Sequence, residues 1–308
     1  MNYKTLQMTD GHQLPYYEWQ PSRSPTATVQ IAHGMGEHAG RYQAIANALI
    51  QEGFAVYAND HRGHGLAIKE ELSGYMGVDG WDRTVSDMHE FAKEINARHS
   101  GIPHILFGHS MGSMLSQQYL TQFADTLDAA ILSGSPGFSA RVQLLISRAI
   151  AKVEGWRLGK ENSSDLLDSL VFGKANNKFN SPTANGFEWL SRDSQAVNKY
   201  LQDPLCGFVL STGSLGDMFR GVSNSAKKKN IQKIPKNLPL YIFSGGDDPV
   251  HDNGKGLNRL LKIYRNHLSD ITYKLYPGGR HEMLNETNSE EVTADIISWL
   301  QQTLNKKA

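Results

Sequence analysis

Only one of the 308 residues is a cysteine, Cys206. A single thiol cannot form an intramolecular disulfide or supply a cysteine-rich metal site, so neither kind of staple holds this chain, and a reducing compartment suits it. Long apolar runs are missing too. Stretches such as Ala129 to Leu132 and Leu144 to Ile146 fall far short of the roughly 20 residues that cross a bilayer. The segment Met1 to Asp10 is polar and alternating, without a basic stretch followed by an apolar one and a small-residue cleavage site. It reads as no export signal, and a cytoplasmic location is the expectation. Neither sign of charge is in excess: Lys plus Arg and Asp plus Glu each number 31, for a formal net charge of zero. The overall field therefore favours no polyanion, and nucleic acid is not an expected partner. Internal repeats and low-complexity tracts are not apparent either.

What is present is a strand and helix rhythm. Tyr3 to Met8 and Gln13 to Trp19 alternate about the turn signal Asp10-Gly11 and read as a hairpin. Next come a strand at Thr28 to Ala32, a helix at Arg41 to Gln51 closed by Gly53, and a buried strand at Phe54 to Ala58. Trp81, Val85, Met88, Ala92 and Ile95 recur at helical spacing; Pro103 interrupts, and His104 to Phe107 forms a strand. A helix from Met111 to about Gln122 and a strand at Ala129 to Leu132 follow. This order predicts a mainly parallel sheet covered by helices on both faces, with right-handed crossovers.

The rhythm stops between about Ser135 and Pro235 and resumes beyond Pro239. The later elements are a strand Leu240 to Ser244, a helix around Gly256 to Asn266, a strand Ile271 to Tyr276 and a last helix ending near Leu304. The expected organisation is one core made of residues 1–135 and 236–308, with residues 136–235 inserted as a helical cap. Within the insertion, Val142, Leu145, Ile146, Ala149, Ile150 and Val153 fall on one helical face. Such a face suits closing over a site or packing on the core, and packing is the expectation.

Gly108-His109-Ser110-Met111-Gly112 joins a buried strand to a helix. In the α/β-hydrolase fold a tight turn in that context projects a serine from the carboxyl edge of the sheet, with small flanking residues relieving the crowding. The expected architecture is therefore an α/β-hydrolase fold with a mainly parallel eight-stranded sheet. A serine hydroxyl is a poor nucleophile at neutral pH, so it requires a base and a group that orients the base. In this fold the acid and the histidine follow the serine in that order, each after a later strand. Asp247 or Asp248, and His281, fit the order, and spacing leaves the two aspartates unseparated. The oxyanion requires two backbone donors: the amide of Met111 is one candidate, and that of Met35 in His33-Gly34-Met35-Gly36 is the other.

His33 to His38, Asp60-His61-Arg62-Gly63-His64-Gly65 and Gly108 to Gly112 together resemble the monoacylglycerol lipase and lysophospholipase branch of the α/β-hydrolases, and so do Gly245 to Val250 and Gly279 to Glu282. The resemblance implies that Ser110 is the nucleophile, His281 the base, and Asp248, which precedes Pro249-Val250, the acid. It also implies a carboxylic ester substrate, monoacylglycerol or a lysophospholipid-type single-chain lipid ester, with a small-ester carboxylesterase as the alternative. No metal or organic cofactor is expected, and a transient contact of the cap with a membrane surface is compatible. The cap resembles the branch least. There Phe187 to Leu190 and Asp203 to Phe208 look like an acyl-facing surface.

Other readings fare worse. His61 and His64 beside His33 and His38 lack the helical spacing of a zinc site. Lys227 to Lys229 reads as a solvated face rather than a headgroup site. An epoxide hydrolase or dehalogenase would carry aspartate at position 110. A non-catalytic ligand-binding module would have no need of Ser, Asp and His together.

Overall fold

Apolar runs of four to seven residues bounded by turn residues form strands because successive side chains alternate between faces, and a sheet covered on both sides buries them all. The computed structural model describes residues 2–69, 72–138 and 141–306. Eight strands form one sheet: β1 Lys4–Gln7, β2 Gln13–Trp19, β3 Ala27–Ala32, β4 Phe54–Asn59, β5 His104–His109, β6 Ala129–Ser133, β7 Leu240–Gly245 and β8 Ile271–Tyr276; β3 to β7 are buried throughout, whereas the edge strands β1 and β8 are not. The spatial order is β1-β2-β4-β3-β5-β6-β7-β8. The β1–β2 and β2–β4 pairings are antiparallel, and from β4 to β8 every pairing is parallel.

Alternation divides the core in two. Ile105, Phe107, Ala129, Ile131, Tyr241 and Phe243 face a layer formed by α1 (Gln43–Gln51) and α10 (Ser289–Asn305). Leu106, Ala130, Leu132, Leu240 and Ile242 face the opposite layer, where α2 (Gly80–Arg98), α3 (Met111–Phe123) and α9 (Lys255–Arg265) pack. The sheet is thus a filling between helices, as the strand and helix order predicts.

Between β6 and β7 the chain forms α4 (Arg141–Leu158), α5 (Asp165–Phe172), α6 (Ser194–Gln202), α7 (Thr212–Ser225) and α8 (Lys228–Ile231), with no strand among the described residues. Ser139 and Ala140 of this segment lie outside the described residues. The helix expected at Val142 to Val153 is present, but its packing face is not the expected one. Val142, Leu145, Ile146 and Val153 are more than half exposed, whereas Leu144, Ser147, Ala151 and Glu154 are buried. The reason is steric. α4 packs on α7, with Ala151 facing Gly216 at ordinary contact distance (3.7 Å to a Cβ built there) and Leu144 in the same buried cluster as Leu215, Met218 and Val222, so the face with Leu144, Ser147 and Ala151 fills the space against α7. No described helix is long and apolar enough to cross a membrane.

Phe107 is fully buried in the sheet and Trp156 on α4 is 88% exposed. Phe107→Ala is expected to cost about 3–5 kcal/mol of stability, and Trp156→Ala less than about 0.5 kcal/mol; denaturant unfolding followed by circular dichroism checks both.

Candidate active site

β5 leads directly into α3, and the one residue between them, Ser110, has φ 52° and ψ −117°. A side chain resists that backbone, so neighbouring atoms must hold it. The Ser110 amide donates to the Ser133 carbonyl at 2.9 Å, and the Ser113 amide donates to the Ser110 carbonyl at 2.9 Å. Gly108 and Gly112 leave the turn room. A Cβ at Gly112 would stand 2.0 Å from the Ala32 carbonyl oxygen, and one at Gly108 2.4 Å from that of Gly112. The start of α3 is thereby pressed against the end of β3.

β7 and β8 end beside this turn. Gly245 pairs with Tyr276 across them, and both following loops open at the carboxyl edge of the sheet, where Ser110 stands. His281 Nε2 lies 2.9 Å from Ser110 Oγ, and His281 Nδ1 lies 2.9 Å from Asp248 Oδ2. Asp248 is fixed in turn: its Oδ2 accepts from the Ser244 hydroxyl at 2.8 Å and its Oδ1 from the Val250 amide at 2.9 Å. Asp247, which the spacing could not distinguish from its neighbour, points elsewhere. It is 40% exposed and pairs with Lys178 at 2.5 Å.

Burial by itself would lower the His281 imidazole, but the Asp248 charge and hydrogen bond outweigh it and raise the group above its ordinary 6.5, with Glu282 and Glu37 adding to the effect. Burial would likewise raise the Asp248 carboxyl, and His281 holds it below the usual range. His109, whose ring centroid is 5.0 Å from that of His281, is pushed down to about 4 by burial and by that neighbour. A hydroxyl bonded to an imidazole whose far nitrogen faces a buried carboxylate is an arrangement that can activate serine.

Met35 and Met111 line the cavity wall beside Ser110, and among the described residues neither amide donates to a protein acceptor. Met111 also begins α3, where the helix dipole favours negative charge. Ser110 stands where two cavities meet. One, of about 260 Å³, is walled largely by apolar side chains such as Met114, Leu144, Leu170, Met218 and Val250. The other, of about 250 Å³, includes Glu37, Asp168, Tyr200 and Glu282 and, among the described residues, no Lys or Arg. Phe187, Trp189, Leu190, Gly207 and Phe208, from the two segments read as acyl-facing, line this second cavity. Asp203 does not line it and instead pairs with His38 at 2.9 Å.

His33, His61 and His64 form a buried stack, the His33 ring 4.1 and 5.2 Å from the other two. Burial, above all, lowers all three, so they are neutral packing groups. The one group of possible metal ligands among the described residues is His38, Asp203 and Cys206, with ligand atoms within 4.8 Å of one another. Trp189, read from the sequence only as part of an acyl-facing segment, has its ring 5.0 Å from that of His281. Sequence reasoning assigned no role to Glu37, Arg41 and Glu282, which form a buried ion cluster beside the site. Glu37 and Glu282 lie inside the motifs that carried the resemblance, which was the available signal.

The family described as "Serine aminopeptidase, S33" matches residues 23–288. A monoacylglycerol lipase of Mycolicibacterium smegmatis is 29% identical over 301 residues, which are 94% of this chain and 93% of that protein. An abhydrolase domain-containing protein of Dictyostelium discoideum is 29% identical over 97% of this chain, and the chain spans only 29% of its length. Among solved structures, a thermostable carboxyl esterase from Bacillus coagulans superposes with a TM-score of 0.89 at 26% identity, covering 98% of both chains.

Two outcomes follow with a p-nitrophenyl ester as reporter. Because only neutral His281 can take a proton and its pKa is raised above 6.5, kcat/KM is expected to fall as pH drops through a value above 6.5. Asp248→Asn should lower kcat by roughly 10³ to 10⁴ and move that limb to lower pH, while Asp247→Asn stays within about threefold; pH-rate profiles of the three proteins check this.

Proposed function

The chain belongs to the serine aminopeptidase S33 family of α/β-hydrolases, and from that premise we propose that it hydrolyses carboxylic esters of single-chain lipids, of the monoacylglycerol type, through an acyl-enzyme. The observation that carries this reading is the position of Ser110, within hydrogen-bond distance of His281 and at the meeting point of two largely apolar cavities, one of which also carries Glu37, Asp168 and Glu282 in its wall. Ser110 Oγ attacks the ester carbonyl carbon as His281 Nε2 takes the hydroxyl proton. The carbonyl oxygen becomes an oxyanion held by the Met35 and Met111 amides, and Asp248 stabilises the imidazolium. Collapse breaks the ester bond, and the leaving alkoxide takes the proton from His281. Water then attacks the acyl-enzyme, giving its proton to His281, and the fatty acid leaves as Ser110 recovers its hydrogen.

The cavity walled by Met114, Leu144, Leu170, Met218 and Val250 suits the acyl chain, and the one that carries Glu37, Asp168 and Glu282 suits the alcohol, so Phe187 to Leu190 and Phe208 border the alcohol side rather than the acyl side that the sequence suggested. Residues 136–235 act as the cap that separates them from solvent. Phe172 of α5 borders both cavities, which supports that role. Among the described residues the alcohol cavity is lined by Glu37, Asp168 and Glu282 and by no Lys or Arg, so an uncharged head group fits it better than a phosphate.

On the outer face of α4, exposed Val142, Leu145, Ile146, Val153 and Trp156 stand near Arg148 and Lys152, a composition suited to transient contact with an anionic lipid surface.

Rates with monoacylglycerols and lysophosphatidic acids of matched chains, p-nitrophenyl esters and an aminoacyl p-nitroanilide test the substrate class. The expected order puts monoacylglycerol first, with Ser110→Ala inactive; preference for the anilide, or equal rates for Ser110→Ala, contradicts the proposal. Cosedimentation with anionic phospholipid vesicles should fall several-fold for Trp156→Ala, and unchanged binding removes the membrane reading.

A further inference from the structure

Glu37 and Glu282 come from segments far apart in the chain, one on the loop after β3 and the other directly after His281. They meet on one guanidinium. Arg41 Nη1 donates to Glu37 Oε2 at 2.5 Å and to Glu282 Oε1 at 2.7 Å, and Nη2 donates to Glu282 Oε2 at 2.7 Å. The other Glu37 oxygen, Oε1, accepts from the Gly34 amide at 2.6 Å and from the Tyr42 hydroxyl at 2.8 Å. Glu282 Oε2 also accepts from the Asn285 side-chain amide at 2.9 Å, and the Arg41 guanidinium lies 4.9 Å from the Tyr200 ring centroid. The three charged side chains are 5%, 12% and 7% exposed.

Two carboxylates and one guanidinium in so dry a place are costly, because the desolvation of each ion offsets most of their attraction. What ions add is direction, since a bidentate Arg and carboxylate pair accepts one geometry and resists others. Here the direction runs along the site. Gly34 immediately precedes Met35, and Glu282 immediately follows His281.

We infer that Glu37 is a positioning residue: by holding the Gly34 amide it sets the Met35 amide toward the oxyanion, and Arg41 links that loop through Glu282 to the loop that carries His281. The inference rests on the oxyanion role given above to Met35. Glu37 touches no reacting atom, so it acts through where the loop sits and through the charge it presents toward His281. Burial would raise the Glu37 and Glu282 carboxyls, but Arg41 outweighs it and holds both below the usual carboxylate range, so both are charged at neutral pH. The cluster keeps a net negative charge. His281 is faced by that charge, by Asp248 and by neutral His109, and the negative groups contribute to its raised pKa.

Two variants of the full chain separate position from charge. Glu37→Gln removes the charge and keeps an oxygen for the Gly34 amide; Glu37→Met removes both at similar length. Rates on p-nitrophenyl butyrate are normalised to active sites titrated with a fluorophosphonate. Glu37→Met is expected to lose about 10- to 100-fold in kcat, part of what removing an oxyanion donor outright costs. Its KM should stay within about twofold, and its inhibition by a trifluoromethyl ketone, which forms an oxyanion on binding, should weaken by the same factor as kcat/KM. Glu37→Gln should keep most of kcat, and both variants should move the acid limb of kcat/KM to lower pH. Normalised rates and ketone inhibition like those of the wild type in Glu37→Met overturn the inference, as does an unmoved acid limb in Glu37→Gln, which remains decisive if the methionine variant does not fold. A wild type that does not cleave the ester overturns the proposed function, and the inference with it.

Discussion

The left-handed backbone at Ser110, φ 52° and ψ −117°, is a conformation that a residue with a side chain resists. It persists because β5 and α3 are both fixed by packing, leaving a single residue in which to turn from sheet to helix. The turn fits because Gly112 is in contact with the end of β3. That contact sets α3 against the loop of Met35, so the strain at one residue also brings the two candidate oxyanion donors to one wall of the cavity. A wider turn would relax Ser110 and separate those amides.

Charge is arranged around this turn with the same economy. Asp248 is held by a hydroxyl and an amide as well as by His281, so its orientation does not depend on the imidazole alone. His281 is consequently raised while its neighbour His109 is lowered to about 4. Environment thus separates two neighbouring imidazoles, one the candidate proton acceptor and the other a neutral wall, the kind of separation by which sites assign roles to like groups. Behind them, Glu37, Arg41 and Glu282 join the two loops that the proposed chemistry needs in register.

Much of this architecture was legible in the sequence because it is local. The strands Gln13–Trp19 and Ile271–Tyr276 were read with the bounds they have, and Gly108 to Gly112 announced its turn through the strand before it and the helix after it. What remained illegible is what depends on rotation or distance. Spacing could not separate Asp247 from Asp248, since the choice rests on which way a loop turns after Gly246. The α4 face was misread because the apolar stripe outweighs, in any pattern, the small residues Ser147 and Ala151 that fill the space against α7. The meeting of Arg41 with Glu282 spans 241 residues and leaves no periodic trace.

Ser110 is the proposed nucleophile. Its most direct test is reaction of the full chain with a fluorophosphonate, followed by peptide mapping of the adduct by mass spectrometry. One phosphonyl group per chain is expected, on Ser110, formed more slowly as pH falls through the His281 pKa. An adduct on another residue, or none on the folded wild type, would contradict it.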